Sequence, residues 1–155
     1  MDFPNKWRKW VMNIIKTARA LVLVNGSPTQ EFPCFRGLKQ GDPLSPFLSV
    51  LAMEALTRIV KEACSIGRYK GVRLGANGPL LSHFLFVDDV IFMDEWFADN
   101  VLNLNRLLRC FYLSSGLWVN FSKSNLYGVG IDVNRVQSLA SILRCKAGSF
   151  PFKYQ

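Results

Sequence analysis

The chain has 155 residues, and 19 Lys+Arg against 11 Asp+Glu leave a formal charge of +8. Half of the residues are hydrophobic, which excludes a disordered tail and leaves room for one domain with a real core. The positive excess favours a polyanionic partner, because each phosphate neutralised releases condensed counterions.

The first residues, MDFPNKWRKW, hold no apolar stretch of signal-peptide length. No run along the chain reaches the roughly 18 apolar residues that a membrane helix needs. A soluble, intracellular protein is expected, nuclear or cytoplasmic. Trp7, Trp10, Val11, Ile14 and Ile15 recur at helical spacing, with Lys6, Arg8, Lys9 and Lys16 between them. This is an amphipathic helix with a basic face, and its tryptophans fit core positions better than base-stacking ones. Ala20 to Val24 reads as a strand, Asn25-Gly26 as a tight turn, and the segment to Phe35 as the returning strand, with Pro33 at an edge. Cys34, Cys64, Cys110 and Cys145 are scattered without zinc spacing and are expected as free, mostly buried thiols.

Leu44, Phe47, Leu48, Leu51, Ala55, Ile59 and Ala63 mark a long helix ending near Cys64, with Asp42 as N-cap and Pro43 as its first residue. Gly67, Gly71, Gly75 and Gly78 punctuate a loop or short hairpin. Phe84 to Val87 and Val90 to Met93 are apolar runs on either side of Asp88-Asp89. A helix follows from about Ala98 to Ser115, with Val101, Leu104, Leu108 and Phe111 on one stripe and Gly116 as its stop. Trp118 to Phe121 and Leu126 to Val129 read as strands, and Asp132 to Leu143 as a last helix. Helices and strands mix without strict alternation, so the fold class is α+β.

Two stretches carry chemistry. In His83-Phe-Leu-Phe-Val-Asp-Asp-Val-Ile-Phe-Met93 the turn between two burial-prone strands is made of paired acids instead of Gly or Asn. Carboxylates about 5 Å apart repel by roughly 3 kcal/mol at an effective dielectric near 20. Partial burial would add to that, so a nearby cation is wanted. Oxygen ligands on a short hairpin suit Mg²⁺; a solvated acidic turn is the plain alternative. His83 is read as a packing or hydrogen-bonding residue, and Asp94, Glu95 and Asp99 as a solvated turn. In Arg36-Gly-Leu-Lys-Gln-Gly-Asp-Pro-Leu-Ser-Pro46, Gly37 and Gly41 ahead of a capped helix permit close backbone approach, with Lys39 and Gln40 in reach. Taken alone, that stretch is better explained by ordinary loop and capping chemistry.

Together, R-G-L-K-Q-G-D-P-L-S-P, the long helix and F-V-D-D closely resemble reverse transcriptases of LINE-type (non-LTR) retrotransposons, most of all plant elements, which often read RGLRQGDPLSP and FADD. Val24-Asn-Gly-Ser-Pro28, Ser115-Gly-Leu-Trp-Val-Asn-Phe-Ser-Lys-Ser124 and Phe150-Pro-Phe-Lys-Tyr154 match in the same order. Leu117 and Trp118 stand where small or polar residues are more usual. The resemblance implies an incomplete polymerase palm, a small antiparallel sheet with helices on one face, lacking fingers and thumb. Its parts would be 1–35 (helix and hairpin), 36–65 (glycine-bearing loop and long helix), 80–95 (metal-binding hairpin), 98–131 (palm helix and following strands) and 132–155 (last helix and start of the primer grip).

The family reaction is deoxynucleotidyl transfer onto a primer 3′-hydroxyl, with two Mg²⁺ ions activating that hydroxyl and stabilising the leaving pyrophosphate. By this likeness Asp88 and Asp89 are catalytic metal ligands, and Lys123 serves the leaving pyrophosphate or is simply solvated. Phe86 and Val87 would line the primer terminus. Gly37, Gln40 and Gly41 would form the floor under template base and nucleotide, and Arg36 and Lys39 would meet backbone phosphate. Phe152, Lys153 and Tyr154 would belong to the primer grip. Partners would be an RNA template, a DNA primer, deoxynucleoside triphosphates and the rest of the retrotransposon polyprotein. A further catalytic carboxylate is expected upstream of the first helix, with Asp2 on the wrong side to replace it, and endonuclease and RNase H segments are not in the sequence. The fragment alone is therefore expected to be inactive. Two other readings stand beside this one: a non-catalytic basic nucleic-acid-binding protein, and another palm enzyme such as a nucleotidyl cyclase. The glycine-bearing stretch counts against the cyclase.

Overall fold

The computed structural model describes residues 2–34, 41–86 and 88–151. Among the described residues, four helices and ten short strands, paired as two-stranded ribbons, give the mixed α+β class expected. The chain divides into two compact units, Met1–Ala52 and Met53–Gln155.

In the first unit, α1 (Asn5–Thr17) carries the amphipathic pattern but buries none of its residues. Trp10 is 57% exposed with the Lys6 Nζ 5.1 Å from its ring centroid, while Trp7 stacks on Phe3 at 4.2 Å. The expectation that both tryptophans sit in a core is thus corrected: Trp10 is exposed and Trp7 only half-buried. β1 (Arg19–Ala20), β2 (Leu23–Val24), β3 (Ser27–Pro28) and β4 (Phe32–Pro33) form one long antiparallel excursion. Asn25 (φ 50) and Gly26 (φ 80) supply the left-handed pair that a two-residue hairpin turn demands. Leu23 pairs with Pro28, but Ala20 pairs with Phe32, so the returning arm holds one extra residue. Thr29 takes up that bulge: its N–H donates to the Val22 carbonyl (2.8 Å) and its Oγ1 accepts from the Val22 N–H (3.0 Å).

Asp42 caps the turn that leads into α2 (Ser45–Ser65), its carboxylate accepting from the Leu44 N–H at 2.8 Å. The buried face of α2 is Leu56, Thr57, Val60 and Ala63. The stripe read through Leu51, Ala55 and Ile59 is only half-buried, and Phe47 is exposed. Both faces of the helix are apolar, so spacing alone could not choose between them.

In the second unit, β5 (Val72–Arg73) and β6 (Leu80–Leu81) form a short ribbon. A Cβ on Gly71 would strike the Leu81 carbonyl, so the approach of the two arms requires glycine there. β7 (His83–Phe86) and β8 (Asp89–Phe92) pair antiparallel, and α3 (Ala98–Ser115) has the boundaries the sequence indicated. Gly116, at φ 75, ends α3 by donating its N–H to the Tyr112 carbonyl at 2.8 Å. β9 (Asn125–Leu126) pairs in parallel with β10 (Lys146–Ala147) across α4 (Val133–Leu143), which Asp132 caps through the Asn134 N–H.

The strand expected over Trp118–Phe121 does not form. Asn120 turns the chain instead: its carbonyl accepts from the Lys123 N–H (3.1 Å) and the Ser124 Oγ (2.9 Å), and its side-chain oxygen accepts from the Ser122 Oγ (2.7 Å). Such local bonds offer the backbone an alternative to a ladder. The strand expected over Leu126–Val129 keeps only Leu126, and a Cβ on Gly128 would meet the Val136 and Ile131 side chains. The cysteines are free as expected, but none is fully buried and Cys110 is exposed.

Two adjoining clusters form the core of this unit. Leu56, Val60, Ala63, Tyr69, Leu104, Leu108 and Phe111 make the larger, and Val101, Leu139 and Leu143 the smaller. Between them Asn100, 4% exposed, acts as a polar staple. Its Nδ2 donates to the carbonyls of Lys70 and Glu95, each at 3.0 Å, and its Oδ1 accepts from the Lys70 N–H at 2.9 Å. Replacing it removes three part-buried hydrogen bonds to the backbone of Lys70 and Glu95, of which only the Lys70 carbonyl keeps another donor, the Glu95 N–H at 3.0 Å. Asn100→Ala is expected to cost about 2–4 kcal/mol by urea denaturation; a loss under about 0.5 kcal/mol, the range of ordinary surface changes, would contradict the staple.

Candidate active site

The site is built on the β7–β8 ribbon. Register places His83 opposite Phe92, Phe84 opposite Ile91, Leu85 opposite Val90 and Phe86 opposite Asp89. Successive pairs face opposite sides of a ribbon. His83, Leu85, Val90 and Phe92 therefore share one face, and Val90 and Phe92 pack on the larger core cluster. Phe84, Ile91, Phe86 and Asp89 share the other face and are exposed, Phe86 to 65%.

Between Phe86 and Asp89 the chain turns at Asp88, and Val87 lies outside the described residues. Asp88 and Asp89 thus stand next to each other at the ribbon's tip, and both are exposed. The partial burial expected to sharpen their repulsion is not present, and water screens it instead. What remains is a pair of hard oxygen donors on a short turn, open enough to keep water on a bound ion. That donor set fits one Mg²⁺ held by one or two carboxylates with waters and phosphate oxygens completing it. Among the described residues no three His, Cys, Asp or Glu side chains gather as a metal-holding group.

His83 fixes the other end of β7. Its Nε2 lies 3.1 Å from the Oγ1 of Thr57, a buried residue of α2, and its Nδ1 lies 2.9 Å from the Ser82 Oγ. Burial, with the Lys61 ammonium second, holds its pKa below the ordinary histidine value. The reading of His83 as a hydrogen-bonding residue agrees with this placement.

Lys123 is exposed on the turn made by Asn120. Gly41 is exposed at φ +84 in the first unit, where a side chain would be strained. Arg36, Gly37, Lys39, Gln40, Phe152, Lys153 and Tyr154, like Val87, lie outside the described residues. The structure therefore joins Phe86, Asp88 and Asp89.

Asp94, read as part of a solvated acidic turn, is instead half-buried, while Glu95 and Asp99 are exposed. Burial pushes the Asp94 carboxyl up to about 6. Its neighbour Tyr69 is 1% exposed, donates its hydroxyl to the Met93 carbonyl at 3.2 Å, and is driven well above the usual tyrosine range by burial and then by Asp94. Sequence reading missed Asp94 because two further acids surround it. It also missed Asn100, although Asn100 falls four and eight residues before Leu104 and Leu108 on the buried stripe of α3.

Comparison with known proteins matches residues 1–143 to the family model of the reverse transcriptase (RNA-dependent DNA polymerase). The chain is also 37% identical over 114 residues to an uncharacterized mitochondrial protein of Arabidopsis thaliana, covering 71% of this chain and 89% of that protein.

The raised Asp94 pKa has a definite sign. The folded state holds this proton more tightly than the unfolded state, so the associated stability is full below the unfolded value of 3.8 and is lost as pH rises towards 6. Asp94→Asn is expected to raise stability above pH 6 by about 1–2 kcal/mol, after allowance for partial exposure, with the gain fading towards pH 4. Thermal melts of both proteins across that range check it, and a gain independent of pH would contradict the assignment.

Proposed function

The chain belongs to the reverse transcriptase (RNA-dependent DNA polymerase) family, and on that premise we propose that it is a palm fragment of a LINE-type, plant-like retrotransposon polymerase whose Asp88 and Asp89 hold Mg²⁺ where a primer strand ends. The observation that carries this reading is the Phe86-Val-Asp-Asp89 turn at the tip of an antiparallel ribbon, with both acids open to solvent. Bound there, Mg²⁺ would supply the electrostatic stabilisation that phosphoryl transfer depends on.

The chain's own residues do the positioning. Asp88, within the connection, is the principal ligand, and Asp89, first in β8, is the second acid. Phe86 and Val87 offer the apolar surface against which the primer's last nucleotide lies. Gly41, with the preceding Arg36, Gly37, Lys39 and Gln40, forms the floor beneath template base and incoming nucleotide, the two basic residues on backbone phosphate. Lys123 neutralises the leaving pyrophosphate, and Phe152, Lys153 and Tyr154 contribute to the primer grip. The partners are an RNA template, a DNA primer and deoxynucleoside triphosphates. Two metals in one site call for a further carboxylate beside these two, and on this reading Asp88 and Asp89 alone are not expected to support polymerisation.

A second reading has its own support. α1 exposes Lys6, Arg8, Lys9 and Lys16, and the chain's charge is +8, so binding to nucleic acid without chemistry fits as well. The two are separated by one pair of assays. On the polymerase reading, Mg²⁺ tightens binding of the chain to a recessed RNA–DNA primer-template, and Asp88→Asn removes that increment. Binding that falls steeply with salt and ignores both Mg²⁺ and Asp88→Asn is expected for the binding-only reading. Primer extension by the isolated chain, lost in Asp88→Ala, would overturn the proposed inactivity.

A further inference from the structure

We infer that His83 is a positioning residue, which sets where the Asp88–Asp89 turn stands by fastening the foot of its ribbon to Thr57 of α2. The inference rests on the reading of that turn as a metal-holding element and adds the device that seats it.

The ribbon is a cantilever. Its inner face meets the core through Val90 and Phe92, contacts that resist separation but do not prescribe register, because apolar packing is non-directional. Its outer face, with Phe84, Phe86 and Ile91, is exposed. A directional constraint comes from the foot, where Nε2 of His83 meets the Thr57 Oγ1 at 3.1 Å and Nδ1 meets the Ser82 Oγ at 2.9 Å. Thr57 itself cannot move freely, being 9% exposed between Leu56 and Val60, which are 2% and 0% exposed. The bond thus ties a fixed point of the core to the first residue of β7. Both ring nitrogens are engaged, so the ring's rotation is fixed too, with Phe92 beside it at 6.3 Å between centroids.

The tip lies five residues from this bond, roughly 16 Å at the rise of an extended strand. That exceeds the Debye length of about 8 Å at physiological salt, so a charge on His83 reaches the acids weakly through space. Any influence of His83 on the tip passes through the ribbon's seating. The charged group facing the ring from α2 is Lys61, which opposes protonation, while Asp88 and Asp89 stand at the far end. A ring that stays neutral when seated gains freedom to ionise when the ribbon lifts. Acidification below the ordinary histidine value therefore favours lifting, as the linkage sign requires.

Hydrogen exchange on the full chain tests this, read at the backbone amides of β7 and β8 against those of α2 and α3. Thr57→Val keeps the shape of the buried side chain and removes its hydroxyl; His83→Phe keeps a ring against Phe92 and removes both nitrogens. Each is expected to speed exchange in the ribbon roughly tenfold, the equivalent of one lost hydrogen bond, and to leave the α3 amides unchanged. The double variant should be no faster than either single one. Lowering the pH from 7.5 to 5.5 should raise ribbon opening in the wild type relative to His83→Gln, after correction for intrinsic exchange, because protonation of Asp94 stabilises both alike. Uniform acceleration across α3, additive effects, or equal pH dependence in His83→Gln would overturn the inference. Calorimetric titration of the same samples with Mg²⁺ reports separately on the metal reading: uptake unaffected by Asp88→Asn sinks that reading whatever the exchange rates show.

Discussion

Two like charges at the exposed end of an otherwise apolar ribbon are the constraint from which the rest of this chain is understood. Left to composition, β7 and β8 would pair, bury one face and close through a neutral turn. Acids there add repulsion that folding does not need, and the structure meets it by holding them out in water. The fold supplies a rigid base instead: Val90 and Phe92 on the core, His83 on Thr57, and Asn100 clamping the segments around Lys70 and Glu95.

The second unit is organised around that base. α2 and α3 share the larger core cluster, α4 adds the smaller one, and the parallel pair of β9 and β10 brackets α4. The first unit is a different kind of object. None of its described residues is buried, and Trp10, Leu23, Val24 and Phe47 are each more than half exposed. Its ladder is regular nonetheless, because Asn25-Gly26 and the Thr29 bulge are local devices that work without a core.

Much of this was legible in the sequence where one local rule dominated. The end of α3 follows from Gly116, the first hairpin from Asn25-Gly26, and the acidic ribbon from the apolar runs flanking Asp88, while Asp42 and Pro43 mark the turn before α2, which begins at Ser45 and not at Pro43. The family was legible too, because R-G-L-K-Q-G-D-P-L-S-P and F-V-D-D occur in order at set spacing. What stayed hidden depended on tertiary context. The buried face of α2 is set by Leu104, Leu108 and Phe111 across from it. Asp94 is half-buried and close enough to the buried Tyr69 to act on it electrostatically, which no pattern of neighbouring acids announces. The strand expected at Trp118 lost to side-chain bonds around Asn120. The acidic pair at the ribbon's tip was legible, but its exposure was not, since paired acids read alike in water and in a pocket.

The central claim is that Asp88 and Asp89 hold a divalent ion at the ribbon's tip. Paramagnetic broadening by Mn²⁺, a stand-in for Mg²⁺, reads it most directly in the backbone resonances of the labelled chain. The account requires broadening at substoichiometric Mn²⁺ to centre on Phe86 to Val90, to be displaced by excess Mg²⁺, and to vanish in Asp88→Asn with Asp89→Asn. Broadening centred elsewhere, or unchanged in that double variant, would contradict it.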